Sequence, residues 1–136
     1  MNEEISPEAL LFFSEKPQAL PLYLAFDTRI TALFPDTNKR VQKTQITYCS
    51  RHVFACVSLL RVKRKAELPD PYIVVTLGLP YPLESPRVVS KCEPYPNRWT
   101  THIVIGSENE LDEEFFSWVR EAYDFSNSKK VKERKP

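Results

Sequence analysis

Leu22, Phe26, Ile30 and Leu33 recur at intervals of four, four and three residues, a spacing that gathers side chains on one helix face, while Asp27 and Arg29 turn outward. This helix follows the break at Lys16-Pro17, carries Pro21 in its opening turn and stops at Phe34-Pro35. Upstream, Ser6-Pro7-Glu8 reads as the start of a shorter helix. Serine is the N-cap, proline takes the first helical position, and Ala9-Leu10-Leu11-Phe12-Phe13 follows. The period then changes. Residues 40–49, 53–62, 72–79, 87–93 and 99–105 are β-branched or aromatic runs between proline-, asparagine- or charge-rich breaks, and they predict four or five strands. No helical crossover separates them, so the pairing is antiparallel. Ser107-Glu108-Asn109-Glu110 then matches a capping box, and Leu111, Phe115, Trp118, Val119, Ala122 and Tyr123 continue at helical spacing. Residues 126–136 are polar and basic without apolar periodicity, a disordered tail behind a single domain of residues 1–125. The order predicts an α+β two-layer sandwich, with N-terminal and C-terminal helices on one face of the antiparallel sheet.

Successive strand residues point to opposite faces, so the pattern also indicates what the helices leave uncovered. Trp99, Ile103 and Ile105 share one parity, and Arg98, Thr100 and His102 the other; Ile73, Val75, Leu77 and Leu79 likewise oppose Tyr72, Val74, Thr76 and Gly78. Ile46 and Tyr48 belong with the core, Lys43, Gln45 and Thr47 outside it. The segment from Val53 onward is apolar on both parities, as a central strand would be. An open face carrying Lys43, Gln45, Tyr72, Thr76, Arg98, Thr100 and His102 is the expectation. Antiparallel sheets commonly keep one solvated face, and such residues also serve solubility alone.

Composition narrows the chemistry. The chain has 136 residues, enough for one core, and glycine occurs only at Gly78 and Gly106. Neither the dinucleotide-binding nor the phosphate-loop glycine pattern fits two such distant glycines. No apolar run approaches the roughly 18 residues of a membrane span, and the acidic start MNEEISPE is the reverse of a signal peptide, so a cytoplasmic location is expected. Cys49, Cys56 and Cys92 are odd in number and lack a C-x-x-C pair, which argues for inert thiols rather than a disulfide framework or a metal site.

The net charge of +1 conceals an uneven distribution. Between Asp36 and Glu67 stand eight bases, Lys39, Arg40, Lys43, Arg51, Arg61, Lys63, Arg64 and Lys65, and no acid; the last helix is the acidic counterweight. A basic hairpin over residues 39–65 suits weak, salt-sensitive nucleic-acid contact through Lys39, Arg40, Arg61, Lys63, Arg64 and Lys65. No recognition-helix, RNP or zinc-finger signature accompanies it. Catalytic motifs are likewise missing; His102 with Lys43 or Tyr72 is the acid–base group that the parity allows.

Three stretches together resemble a known family: KPQALPLY at residues 16–23, VQKTQITY at 41–48 with FACV at 54–57, and RWTTH at 98–102 followed by Leu111-Asp112 and WVREAY at 118–123. They resemble the bacterial domain of unknown function numbered 5655, over about residues 12–125. More distantly, the chain is similar to MmcQ/YjbR-type domains. That resemblance implies a frataxin-like arrangement, and DNA binding has been proposed for some of those domains. By the same resemblance Lys43, Gln45, Arg98, Trp99 and His102 occupy motif positions. Iron binding of the frataxin kind is not implied, because residues 6–33 lack its acidic first-helix surface.

The reading is a small non-catalytic binding module that uses Lys43, Gln45, Tyr72, Arg98, Thr100 and His102 on the open sheet face. No cofactor or metal is expected, its ligand or protein partner is unspecified, and its state is monomer or homodimer. Nucleic-acid binding through the basic hairpin and a small His102 enzyme are the alternatives.

Overall fold

The computed structural model describes residues 7–59, 69 and 71–128. Helix α1 spans Pro7–Phe12, and a single 3-10 turn at Pro17–Ala19 leads into α2, Leu20–Leu33. Pro21 sits in the opening turn of α2, where its missing N–H costs no hydrogen bond. The helix buries Leu22, Tyr23, Phe26 and Ile30. Leu33, expected on this face, is 41% exposed; Phe34 is buried in its place as the chain turns out of the helix. In α1, Ala9 is buried while Leu10 and Leu11 are exposed. Ser6, the expected cap, lies outside the described residues.

Six strands form one antiparallel sheet: β1 Asn38–Val41, β2 Ile46–Cys49, β3 Val53–Ser58, β4 Ile73–Leu79, β5 Val88–Tyr95 and β6 Arg98–Ile105. Their order across the sheet is β1-β2-β3-β4-β6-β5. The run over residues 40–49 is therefore a hairpin and not one strand. Gln42 and Gln45 close its turn through a 2.8 Å backbone bond, and Thr47 donates 2.7 Å to the Gln42 side chain. The turn residues Lys43 and Thr44 include no glycine, proline, asparagine or aspartate, so composition carried no turn signal. The expected extension of β3 to residue 62 falls largely outside the described residues.

The final helix begins later than expected. The capping box of Ser107 and Glu110 closes a separate 3-10 turn, Glu108–Glu110. Helix α3, Glu113–Ser128, starts at Asp112, whose carboxylate accepts from the Phe115 N–H at 2.9 Å. It continues three residues past position 125, where the tail was expected to begin, and buries Ser126.

Both long helices lie on one face. Phe26, with no exposed surface, meets Tyr48 of β2 at 5.5 Å and Phe115 and Phe116 of α3 at 6.0 Å each. Beneath them the register aligns Val57, Val75 and Ile103 in one row and Ala55, Leu77 and Thr101 in the next. The Thr101 hydroxyl is buried there without a partner among the described residues.

Two substitutions test this packing. Phe26→Ala opens a cavity at the junction of both helices and the sheet, and should lower stability by about 3–5 kcal/mol. Thr101→Val keeps the shape and removes a desolvated hydroxyl, so it should raise stability by about 1 kcal/mol. Urea unfolding midpoints measure both. A lower midpoint for Thr101→Val would show that the hydroxyl has a partner.

Candidate functional site

On the sheet face away from the helices, cross-strand partners place Thr47, Cys56, Thr76, His102 and Ser90 in one row. Gly78, Thr100 and Cys92 form the next row. The face is not uniformly open: Val74 is fully buried, and Ser58 and Tyr72 are nearly so. Tyr72 donates to the Leu59 carbonyl at 3.2 Å, so this expected site residue is engaged inside the fold.

The expected site residues divide. Thr76, Arg98 and Thr100 line a single cleft of about 280 Å3, and His102 adjoins it through a 2.8 Å hydrogen bond with Thr76. Lys43 and Gln45 are elsewhere. Lys43 stands at the tip of the β1–β2 hairpin and lines a groove with Glu8, Phe12 and Lys16 beside α1. Gln45 donates to Thr47 at 3.2 Å. Three strand spacings, roughly 14 Å, separate β2 from β6. Lys43, at the end of β1 and β2, thus stands well apart from His102 of β6.

The cleft arises from an irregularity in β3. Tyr48 pairs with Ala55 but Cys49 pairs with Val53, so Phe54 is an extra residue in the ladder. Its ring turns to the helix layer and meets Phe34 at 5.7 Å and Tyr123 at 5.1 Å. Pairing between β3 and β4 ends at Ala55 and Leu77, which leaves Gly78 and Leu79 without a β3 neighbour. A Cβ placed on Gly78 would meet nothing within 4 Å. Phe125 and Ser126 of α3 border the cleft on one side, and Tyr95 and Arg98 on the other. Pro96 and Asn97 join β5 to β6, with Asn97 at φ 63°, the combination of a type II turn. Arg98 stands 5.7 Å from the centre of the Tyr95 ring.

Burial controls the titratable groups nearby. It pushes the Cys56 thiol up, against the opposing hydrogen bond with Thr47, and it lowers the His102 imidazole. Both effects favour neutral side chains.

The expected nucleic-acid contacts divide as well. Lys39 donates at 3.0 Å to both Tyr23 and Asp27, and Tyr48 donates to the same Asp27 oxygen at 2.8 Å. Burial raises Tyr23 and Tyr48, and nearby Asp27 raises both further. Burial opposes the Lys39 charge, but its bond with Tyr23 and the Asp27 charge outweigh that and raise it. Asp27 is thus turned into a network and not outward, and Lys39 is held on the helix side of the sheet. Arg40 is exposed. Arg61, Lys63, Arg64 and Lys65 lie outside the described residues.

No group of three or more histidine, cysteine, aspartate or glutamate side chains suited to a metal occurs among the described residues, and no described helix is long and apolar enough to cross a membrane. Gly78, Cys56 and Tyr95 line the cleft and were not among the expected site residues. Gly78 carried a signal, since glycine inside a strand often marks a bulge or a close approach. A family model described as Domain of unknown function (DUF5655) matches residues 11–126, so the chain belongs to that family. No curated protein and no solved structure matches. The distant similarity to MmcQ/YjbR-type domains gains no support from these matches.

The His102 environment predicts a pH effect. Its folded pKa lies below the ordinary 6.5, so between the two values the unfolded chain binds more protons. Stability should fall as pH drops from 6.5 through the folded pKa. The His102 Cε1 resonance should titrate with a midpoint below 6.5, and His102→Gln should flatten the stability profile in that window. A midpoint at or above 6.5 contradicts this account.

Proposed function

We propose that this DUF5655 domain is a non-catalytic module that binds a small molecule in the cleft beside Gly78. The observation that carries the reading is the glycine itself. A glycine inside a strand weakens it, and is normally explained by positive φ or by crowding. Gly78 has neither: no described glycine has positive φ, and its missing Cβ leaves open space. What the residue provides is room near the end of β4, beside Arg98, Thr76, Thr100, Cys56 and Tyr95.

The same geometry disfavours catalysis. Thr76 stands between Cys56 and His102 in the row, so thiol and imidazole are two strands, roughly 10 Å, apart. Burial raises the thiol and lowers the imidazole, and both shifts oppose a thiolate–imidazolium pair. Nucleic-acid binding loses Lys39, whose ammonium is committed to Asp27 and Tyr23.

Thermal unfolding against anionic and neutral metabolites, nucleotides and short oligonucleotides tests the proposal, with Gly78→Leu in parallel. A ligand at about 100 times its Kd adds about 2.7 kcal/mol, a rise of several degrees in Tm. Gly78→Leu should fold with unchanged or higher stability, because its backbone suits a side chain and the space is open. It should lose the ligand response. A response equal in both proteins would place binding elsewhere, and a flat panel would refute the module. Stabilisation by oligonucleotides alone would favour the nucleic-acid alternative.

A further inference from the structure

Resting on that reading of the cleft, we infer that its ligand is a small aromatic carboxylate. The charge of the lining is one-sided. Arg98 is the only charged side chain among the lining residues, and no carboxylate joins it. Lys39 pairs with Asp27, Lys91 with Glu84, and Arg87 with Asp112 and Glu114, and none of the other described cations lines this cleft. Arg98 makes no ion pair among the described residues; its partner is the ring of Tyr95. Glu93, the neighbouring carboxylate in β5, is held by the Asn97 N–H at 2.8 Å and does not line the cleft. A guanidinium fork left with free donors matches the two oxygens of a carboxylate.

The remaining lining defines the body of the ligand. The exposed Tyr95 ring offers aromatic surface beside Arg98, and Trp99 and Phe125 also border the cleft. Tyr95 is 63% exposed and Val53 51%, so two of the large apolar side chains that the fold leaves in solvent flank this cavity. A flat ring laid over the Gly78 backbone would cover them. The hydroxyls of Thr76 and Thr100 lie on the same face as Arg98 and can complete the polar contacts. Charge and size then select among anions. One cation balances one negative charge, whereas di- and triphosphates are normally met by several cations or a nest of backbone N–H groups. A cavity of about 280 Å3 suits a ligand of one or two rings.

Titration of 15N-labelled protein with benzoate and naphthoate, and with their neutral amides, separates the outcomes. The acids should shift the Gly78 and Thr100 amide signals and bind at least about tenfold more tightly than the amides, the discrimination of one charge-assisted pair. Arg98→Gln should erase that preference, and Arg98→Lys should restore part of it. Equal binding of acid and amide, or an unchanged preference in Arg98→Gln, overturns the carboxylate assignment. The cleft reading survives that result if Gly78→Leu still abolishes binding. If neither acids nor amides move those signals, the ligand class falls, and the cleft falls with it only when the wider metabolite panel is also flat.

Discussion

Phe54 cannot occupy a regular position in β3 and also reach the helix layer, and the bulge that resolves this conflict shapes both sides of the sheet. On the helix side its ring meets Phe34 and Tyr123, and Tyr123 stacks on Phe34 at 4.3 Å, so three segments close around one aromatic cluster. Such contacts contribute beyond area burial and fix ring orientation. They also place the last turn of α3 over this end of the sheet. On the strand side, the extra residue ends β3–β4 pairing one step before Gly78. Core and cleft therefore share a cause, and the cavity is part of the packed structure and not a loosely held surface dent.

A second group of contacts decides the electrostatics. Tyr48 is buried, and its hydroxyl must find an acceptor or carry a desolvation penalty. Asp27 supplies that acceptor, and its charge is in turn met by Lys39. Lys39 of the basic stretch is thus absorbed into the fold, while Arg40 beside it is exposed. Tyr123 and Ser50 similarly share Asp36, which ties the β2–β3 turn to α3, and their bonds lower its carboxyl. At the other end of α3, Arg87 lies among Asp112 and Glu114. Counting charges along the chain could not show that Lys39 is met by Asp27 from a distant segment.

Elements whose signal is local were legible. The α2 spacing, the strand parity of β4 and β6 and the shared face of Arg98, Thr100 and His102 follow from periods of 3.6 and 2, and the structure shows them. Features that depend on two segments at once were not. The turn at Lys43 and Thr44 depends on Gln42, Gln45 and Thr47 bonding one another, and parity carried through that turn put Lys43 on the wrong surface. The capping box was read correctly as chemistry but assigned to the wrong helix, because Asp112 supplies a second start five residues later. The bulge at Phe54 leaves no mark in a segment that is apolar on both parities.

The corner that holds Arg98 also sits beside an exposed sheet edge. β5 is an edge strand of eight residues, and unpaired strand edges invite association with another strand. Its ladder to β6 shifts register at Val88/Ser90 and again at Cys92/Tyr95, and Pro94 has no N–H to donate. Lys91 adds charge, bonded to Glu84 and the Leu83 carbonyl. Bulges, proline and charge are devices that oppose edge pairing. They also fix the approach to the Pro96-Asn97 turn, where the Glu93 carboxylate holds the Asn97 N–H. A side chain carried by such a turn has few backbone states to lose, so under the proposed function less interaction energy would be consumed in ordering it. The features that discourage a second strand from adding to β5 are thus the ones that present the Arg98 guanidinium, ready placed, at the mouth of the cleft.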